Sequence, residues 1–464
     1  MEAAGHALNR VRCLGSGRLC GGYHALYSWS HSRDQIRKTE SLEPGSSNAL
    51  LFSLSSLGLP SDENKLMEHF IKNIARLSLA VDYDGNGYRR LAVVSLNDAA
   101  LLNAILTVSS SHLNRWHGRK DSAPKFHLRK ALHHLQKRLL KPAQARSEIT
   151  FMTMLLLLIY ELCEGTQRWK YHYEGLLTWV RLRDGCSDVD PFLTGLLGLI
   201  ATQVILHMPG LFREKAYNLL SVLFPQACSS GSVDVLSGFY IGFPELLVES
   251  ARLHDEVMRL RAYSTDDDML GLRAVYGKAK KLQRRIQATQ LGPENLPSLG
   301  MIGAQQCTSS ICESLVPADI LDTLEVRQAA RASAEVFRHA LHIYVYRILH
   351  NPTVGGECPM EIQSSVDDVF RLIPDIPDTV GPGSFLGWAL VVIGAEIDAL
   401  ERRQHIKRRL QSLATMALNH GVLAISVLEE VWHRRDMAVS GLSNNRLFRW
   451  EEVLEDMEID LALI

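Results

Sequence analysis

The sequence predicts an all-α fold, a multi-helix bundle of antiparallel helical pairs. Three observations carry that expectation. Apolar side chains recur at three-and-four spacing in one segment after another, which is the repeat of a helix face. Period-two alternation never persists, and hairpin signals of Asn-Gly or Asp-Gly type occur only at Asp84 to Gly87 and at Asp184-Gly185, neither flanked by alternating runs. Short turns join most periodic segments, so neighbouring helices should pack antiparallel.

The bulk numbers agree. A chain of 464 residues with 46% hydrophobic and 22% charged side chains is ordinary globular material and long enough for a large core. Fifty basic against fifty-one acidic residues argue against most of the chain lying on nucleic acid, which calls for a basic excess. Cysteines at 13, 20, 163, 186, 228, 307, 312 and 358 are scattered, several of them inside apolar helical stretches, as expected of reduced thiols without a disulfide framework. The longest apolar tracts, Pro191 to Pro209 and Phe385 to Ile397, carry Thr202, Gln203 and His207 or Glu396. Both predict buried helices rather than the ~20 apolar residues of a membrane span.

In chain order, residues 1–36 hold glycines and arginines that break any signal-peptide core and predict a disordered leader; 37–60, rich in Ser, Gly and Leu, predict a linker. The helical body is expected over 61–464. Ser61 is a candidate N-cap for a first helix with Met67, Phe70, Ile71, Ile74 and Leu77 inward. Ser95 with Asp98 reads as a capping box opening a second, with Leu102, Ile105, Leu106 and Leu113 inward. From Lys125 to Leu140, Leu128, Ala131, Leu132, Leu135 and Leu139 form one side; Arg129, Lys130, Lys137 and Arg138 predict a solvated face.

Ile149 to Arg183 organises the rest. Its first half is apolar on every side, which belongs in the middle of a bundle; Glu161 ends it, Gly165 breaks it, and Trp169, His172, Tyr173, Leu176, Leu177 and Val180 form the stripe of a second helix. Further on come a buried helix from Phe192 to Met208, a Gly-punctuated loop from Leu236 to Pro244, and a helix with Leu272, Val275, Ala279, Leu282 and Ile286 inward. That helix carries Lys278, Lys280, Lys281, Arg284 and Arg285 outward, either as a nuclear import signal or as a solvated face. An irregular surface insertion is expected near 288–319. Strong periodicity returns from Ala330 to Ile348; Pro374, Pro377 and Pro382 mark a connection before a helix from Trp388 to Leu400; and Leu447, Trp450, Leu454 and Met457 predict a last amphipathic helix.

The ordered series Glu161, Gly165, Trp169, His172 and Gly175 resembles the central signature of the fungal-specific transcription factor domain, the all-helical regulatory region of many fungal regulators. Ser109 to Leu113, Leu236 to Pro244, Ala340 to Arg347 and the segment around Trp432 resemble other parts of that family, so the likeness runs with gaps from about Ser61 to Asp436. It implies a nuclear transcriptional regulator whose helical body senses an effector or binds co-regulator proteins or a second copy, with no membrane.

Upstream, Cys13 and Cys20, six residues apart and followed by Gly21, Gly22 and Tyr23, resemble the end of the family's zinc binuclear cluster; Arg10 stands where the fourth cysteine would be. A plain alternative is a chance pair in the leader. Zinc needs four ligands, and six thiolates serve two ions only by sharing, so Cys13 and Cys20 alone complete neither shell. The resemblance therefore implies that zinc, the cofactor of an intact family member, is absent here, and that specific DNA contact would require an upstream cluster.

No Gly-x-Ser-x-Gly, His-Glu-x-x-His or Walker pattern is present, and Gly381, Gly383 and Gly387 have the wrong spacing for a phosphate loop. Glu161 and His172 form either an acid-base pair across the turn or, with Trp169, a mutually hydrogen-bonded pin between helices; the second is expected. A non-enzymatic regulator is the expected function, with a helical interaction scaffold as the alternative.

Overall fold

The computed structural model describes residues 58–464 apart from 84–85, 184, 187, 208–210, 224–231, 264–268, 291–296, 301–322, 351–358, 416–419, 441–448 and 460–464. The expected leader, all of the linker but its last three residues, Cys13 and Cys20 lie outside the described residues, as do 301–319 of the expected insertion.

Helix follows helix, as the apolar periodicity requires. The first, α1 (Ser61–His69), passes through a π-helical turn (Phe70–Ile74) into α2 (Ala75–Leu77). Next come α3 (Gly87–Ser95), α4 (Ala99–His117), α5 (Ala123–Leu139), α6 (Pro142–Ala145), α7 (Glu148–Glu164) and α8 (Trp169–Leu182). They are followed by α9 (Pro191–His207), α10 (Leu211–Leu223), α11 (Phe243–Tyr263), α12 (Met269–Ala288) and α13 (Leu324–Leu349). The last are α14 (Met360–Leu372), α15 (Gly387–Gly394), α16 (Leu400–Thr415), α17 (His420–Val439) and α18 (Trp450–Asp456). Successive helices pack on each other as pairs: α4 on α5, α7 on α8, α9 on α10, α11 on α12, α13 on α14 and α16 on α17. One contiguous apolar core joins them, with Trp169, Trp388, Tyr173 and Tyr344 among its largest fully buried side chains. Two helices sit deepest: every side chain of α9 from Phe192 to His207 is buried, and so is α13 from Ala329 to Val345 except at Arg331.

The caps differ from expectation. Ser61 is the first residue of α1, with Pro60 at its N-cap, because proline's fixed φ suits the entry to a helix. Ser95 closes α3 and donates its hydroxyl to the Ala92 carbonyl, 2.7 Å, while Asp98 alone caps α4, accepting from the amides of Ala100 and Leu101 at 3.0 Å each. Arg138 leaves the solvated face of α5 and turns inward to the Asp98 carboxylate, to Ser147 at 2.7 Å and to Thr150 at 3.1 Å. Three hydrogen-bonding partners offset its partial burial.

A small parallel sheet also forms, which the absence of sustained alternation did not predict: Ser232–Asp234 pairs with Ser298–Gly300. The second strand lies inside the expected surface insertion, yet its Leu299 is buried. The Gly-punctuated loop from Leu236 to Pro244 is likewise largely buried. Its Val235 and Leu236 carbonyls accept from Val81 and Ala80 at 3.0 and 3.1 Å, Asp234 ties the turn through the amide and hydroxyl of Ser237, and Phe239, Phe243 and Phe337 stack together. Pairing its backbone groups is what lets this segment enter the core. Finally, the helix expected from Trp388 to Leu400 stops at Gly394. A Cβ there would stand 2.8 Å from Leu428, so only glycine permits α17 to approach so closely.

Candidate functional site

The hairpin of α7 and α8 carries Glu161, Gly165, Trp169, His172 and Gly175. Ser147 caps α7 through the Thr150 amide, and the helix runs three residues past Glu161 to Glu164, so Glu161 does not end it. Gly165 does, at φ +70, a region that costs L-residues about 1–2 kcal/mol. Its amide donates to the Leu162 carbonyl at 3.0 Å and the Thr166 amide to the Glu161 carbonyl at 3.1 Å, the crossed bonds of a left-handed helix stop. That turn brings the Thr166 hydroxyl onto the Glu161 carboxylate, which is otherwise buried.

Glu161, Trp169 and His172 therefore do not satisfy one another. No hydrogen bond joins them among the described residues; Thr166 takes the carboxylate instead. Trp169 is buried at the start of α8 against Tyr173 and Phe212, ring centres 6.0 and 6.1 Å away. His172 is half-buried, and burial lowers its pKa to about 4, so it is neutral at pH 7 and forms no acid-base pair with Glu161. Gly175 faces α7, where a Cβ would sit 3.3 Å from the Met154 sulfur. Glu164 binds Arg115 and Ser111, tying the hairpin to the buried small-residue run Ser109 to Ser111 of α4. Trp432 performs the same sort of pinning farther along, donating Nε1 to the Gly394 carbonyl at 2.9 Å with the Arg403 guanidinium 5.5 Å above its ring.

A second constellation was not anticipated. Arg347, near the end of α13, makes a two-pronged ion pair with Glu396, at 2.9 and 2.6 Å, with both side chains nearly buried. Arg449 pairs with Glu451 at the entry to α18, Arg435 reaches the Ala395 carbonyl, and Tyr344 and Trp450 close the space. These groups line a cavity of about 20 Å³, room for a water molecule or two rather than a substrate. Nearby in α9, His207 and, at the head of α17, His420 are buried, and burial lowers each pKa to about 4. The chain offered one signal for this region: Glu396 is a lone charge in an apolar tract, and a buried charge must find a partner. The arrangement can hold helices in place and order water; it presents no nucleophile beside a base.

On α12, Lys278 pairs with Glu256 of α11 at 2.7 Å, and Arg285 with Glu249 and Glu245 at 2.6 and 3.2 Å. Lys281 and Arg284 are exposed, and Lys280 lies 5.7 Å over the Tyr276 ring. Among the described residues no group of three or more His, Cys, Asp or Glu is placed to hold a metal, and no described helix is long and apolar enough to cross a membrane.

The family model described as the fungal specific transcription factor domain matches residues 65–464. The chain belongs to that family. The match covers the sequence of helices from within α1 onward. No curated protein and no solved structure matches the chain.

Proposed function

We propose that the chain is the regulatory body of a fungal transcriptional regulator, acting in the nucleus through contacts with co-regulator proteins or a second copy of itself. The family match over 65–464 carries this reading. Several features support protein contact over catalysis: the polar constellations are spent on ion pairs and helix stops, and the cavity beside Arg347 and Glu396 is water-sized rather than effector-sized. Cys13 and Cys20, the pair resembling the end of a zinc cluster, supply too few thiolates to close a zinc shell, so base-specific DNA reading is not assigned to this chain. The exposed Lys281 and Arg284 would serve as the accessible part of an import signal on α12.

Fusing the full chain to a fluorescent protein and deleting its gene test the proposal together. Nuclear accumulation with a defined set of transcripts altered by the deletion is the expected outcome. A fusion excluded from the nucleus, with transcripts unchanged, overturns it in favour of a helical scaffold elsewhere in the cell.

A further inference from the structure

Although the protein is close to neutral, its charge is unevenly distributed along the chain. Between Leu113 and Ser147 stand ten of its fifty lysines and arginines and only one of its fifty-one acidic residues, Asp121. Two of the ten are consumed inside the fold, Arg115 by Glu164 and Arg138 by Asp98. On α5 and just beyond it, Lys125, Arg129, His133, Lys137 and Lys141 follow one another at every fourth position, and all five are exposed. Residues four apart lie on one ridge of a helix, about 6 Å per step, so Lys125 to Lys137 spans about 18 Å of straight helix. Among the described residues no carboxylate pairs with Lys125, Arg129, Lys137 or Lys141. Lys130 flanks the ridge, 4.4 Å over the exposed ring of Phe126.

We propose that this ridge binds the phosphodiester backbone of double-stranded nucleic acid without reading its sequence. Regularly spaced, unpaired cations along a rigid rod match the regularly spaced charges of a phosphate backbone and release its counterions on contact. A membrane surface is a poorer match, because Ala131 and Leu135 are packed against α4 and the exposed apolar side chains, Phe126 near one end of the helix and Leu139 and Leu140 at the other, form no continuous face to insert. A helical peptide partner would require an apolar groove, and the ridge is convex and polar along its length. The basic face of α12 makes a useful contrast: there Lys278 and Arg285 already hold carboxylates of α11. The inference stands independently of any role in transcription.

The test measures binding of the full chain to labelled random-sequence DNA and RNA duplexes by fluorescence anisotropy between 50 and 200 mM salt. Four phosphate contacts predict that affinity falls about 100-fold over that range. The quadruple variant Lys125→Glu, Arg129→Glu, Lys137→Glu, Lys141→Glu should lose binding, while Lys281→Glu with Arg284→Glu keeps it; unchanged circular dichroism and Tm confirm that both remain folded. Preference between the two duplexes identifies the source of the phosphates. Equal affinity and salt slope for the ridge variant would overturn the proposal, as would ridge-dependent capture of poly-glutamate or anionic vesicles with no binding to either duplex.

Discussion

Gly165 and Gly175 stand ten residues apart, yet physics retains them for different reasons. Gly165 adopts φ +70 with its nearest side-chain neighbour, Leu423, a comfortable 3.8 Å from where a Cβ would be; its constraint is the backbone alone. Gly175 is helical, and its only close neighbour is the flexible end of Met154. We therefore expect Gly165→Ala to lower stability by about 1–2 kcal/mol, whereas Gly175→Ala is close to neutral because better helix propensity offsets the tight contact. Urea midpoints of the two variants check this, and equal losses would contradict it. Gly165 was legible as a break, but Glu161 was misplaced: sequence shows which residues are polar in an apolar stretch, not which neighbour a left-handed turn will swing onto them. Thr166, an unremarked residue, won the carboxylate that Trp169 and His172 were expected to share.

Elements were legible where their apolar period was strong. The stretches giving α7, α8 and α13 read as helices because a stripe three or four residues apart has one physical meaning, and the one giving α9 because an unbroken apolar run of that length fits a buried helix. The Ser232–Asp234 and Ser298–Gly300 strands were not legible, since three residues cannot display a period and their pairing joins segments far apart in sequence. Nor was the interruption at Gly394, where α17 packs so closely that a Cβ would stand 2.8 Å from Leu428. The connection that follows is secured to α13 by Arg347 and Glu396. Glu396→Ala leaves a nearly buried guanidinium without its partner and should cost about 3–5 kcal/mol, measured by chemical denaturation. A loss below about 1 kcal/mol would show that the ion pair is not what holds this connection.

Across the whole molecule, burial acts on histidine in one direction. His172, His207 and His420 have pKa values lowered to about 4, and His339 to about 3. Unfolded histidine titrates near 6.5, so as pH falls below that value the unfolded chain takes up protons that the folded chain refuses until about pH 4. The stability contribution is complete above about pH 6.5 and is lost on acidification at about 1.4 kcal/mol per pH unit for each histidine. Four together can exhaust a typical folding stability before pH 4 is reached. Denaturation midpoints from pH 7 to pH 4.5 should drop steeply, and His420→Phe should reduce the slope by one proton; a flat profile contradicts this account of the interior.

Charged pairs such as Arg347 with Glu396, Arg403 with Asp436 and Arg115 with Glu164 hold the helices together. The most direct measurement is to tether the full chain to a heterologous DNA-binding module upstream of a reporter gene. A folded, nuclear fusion is predicted to change reporter transcription relative to the module alone. A fusion shown to be folded, nuclear and bound at the promoter, yet leaving transcription unaltered, would contradict the claim that this helical body is a transcriptional regulatory domain.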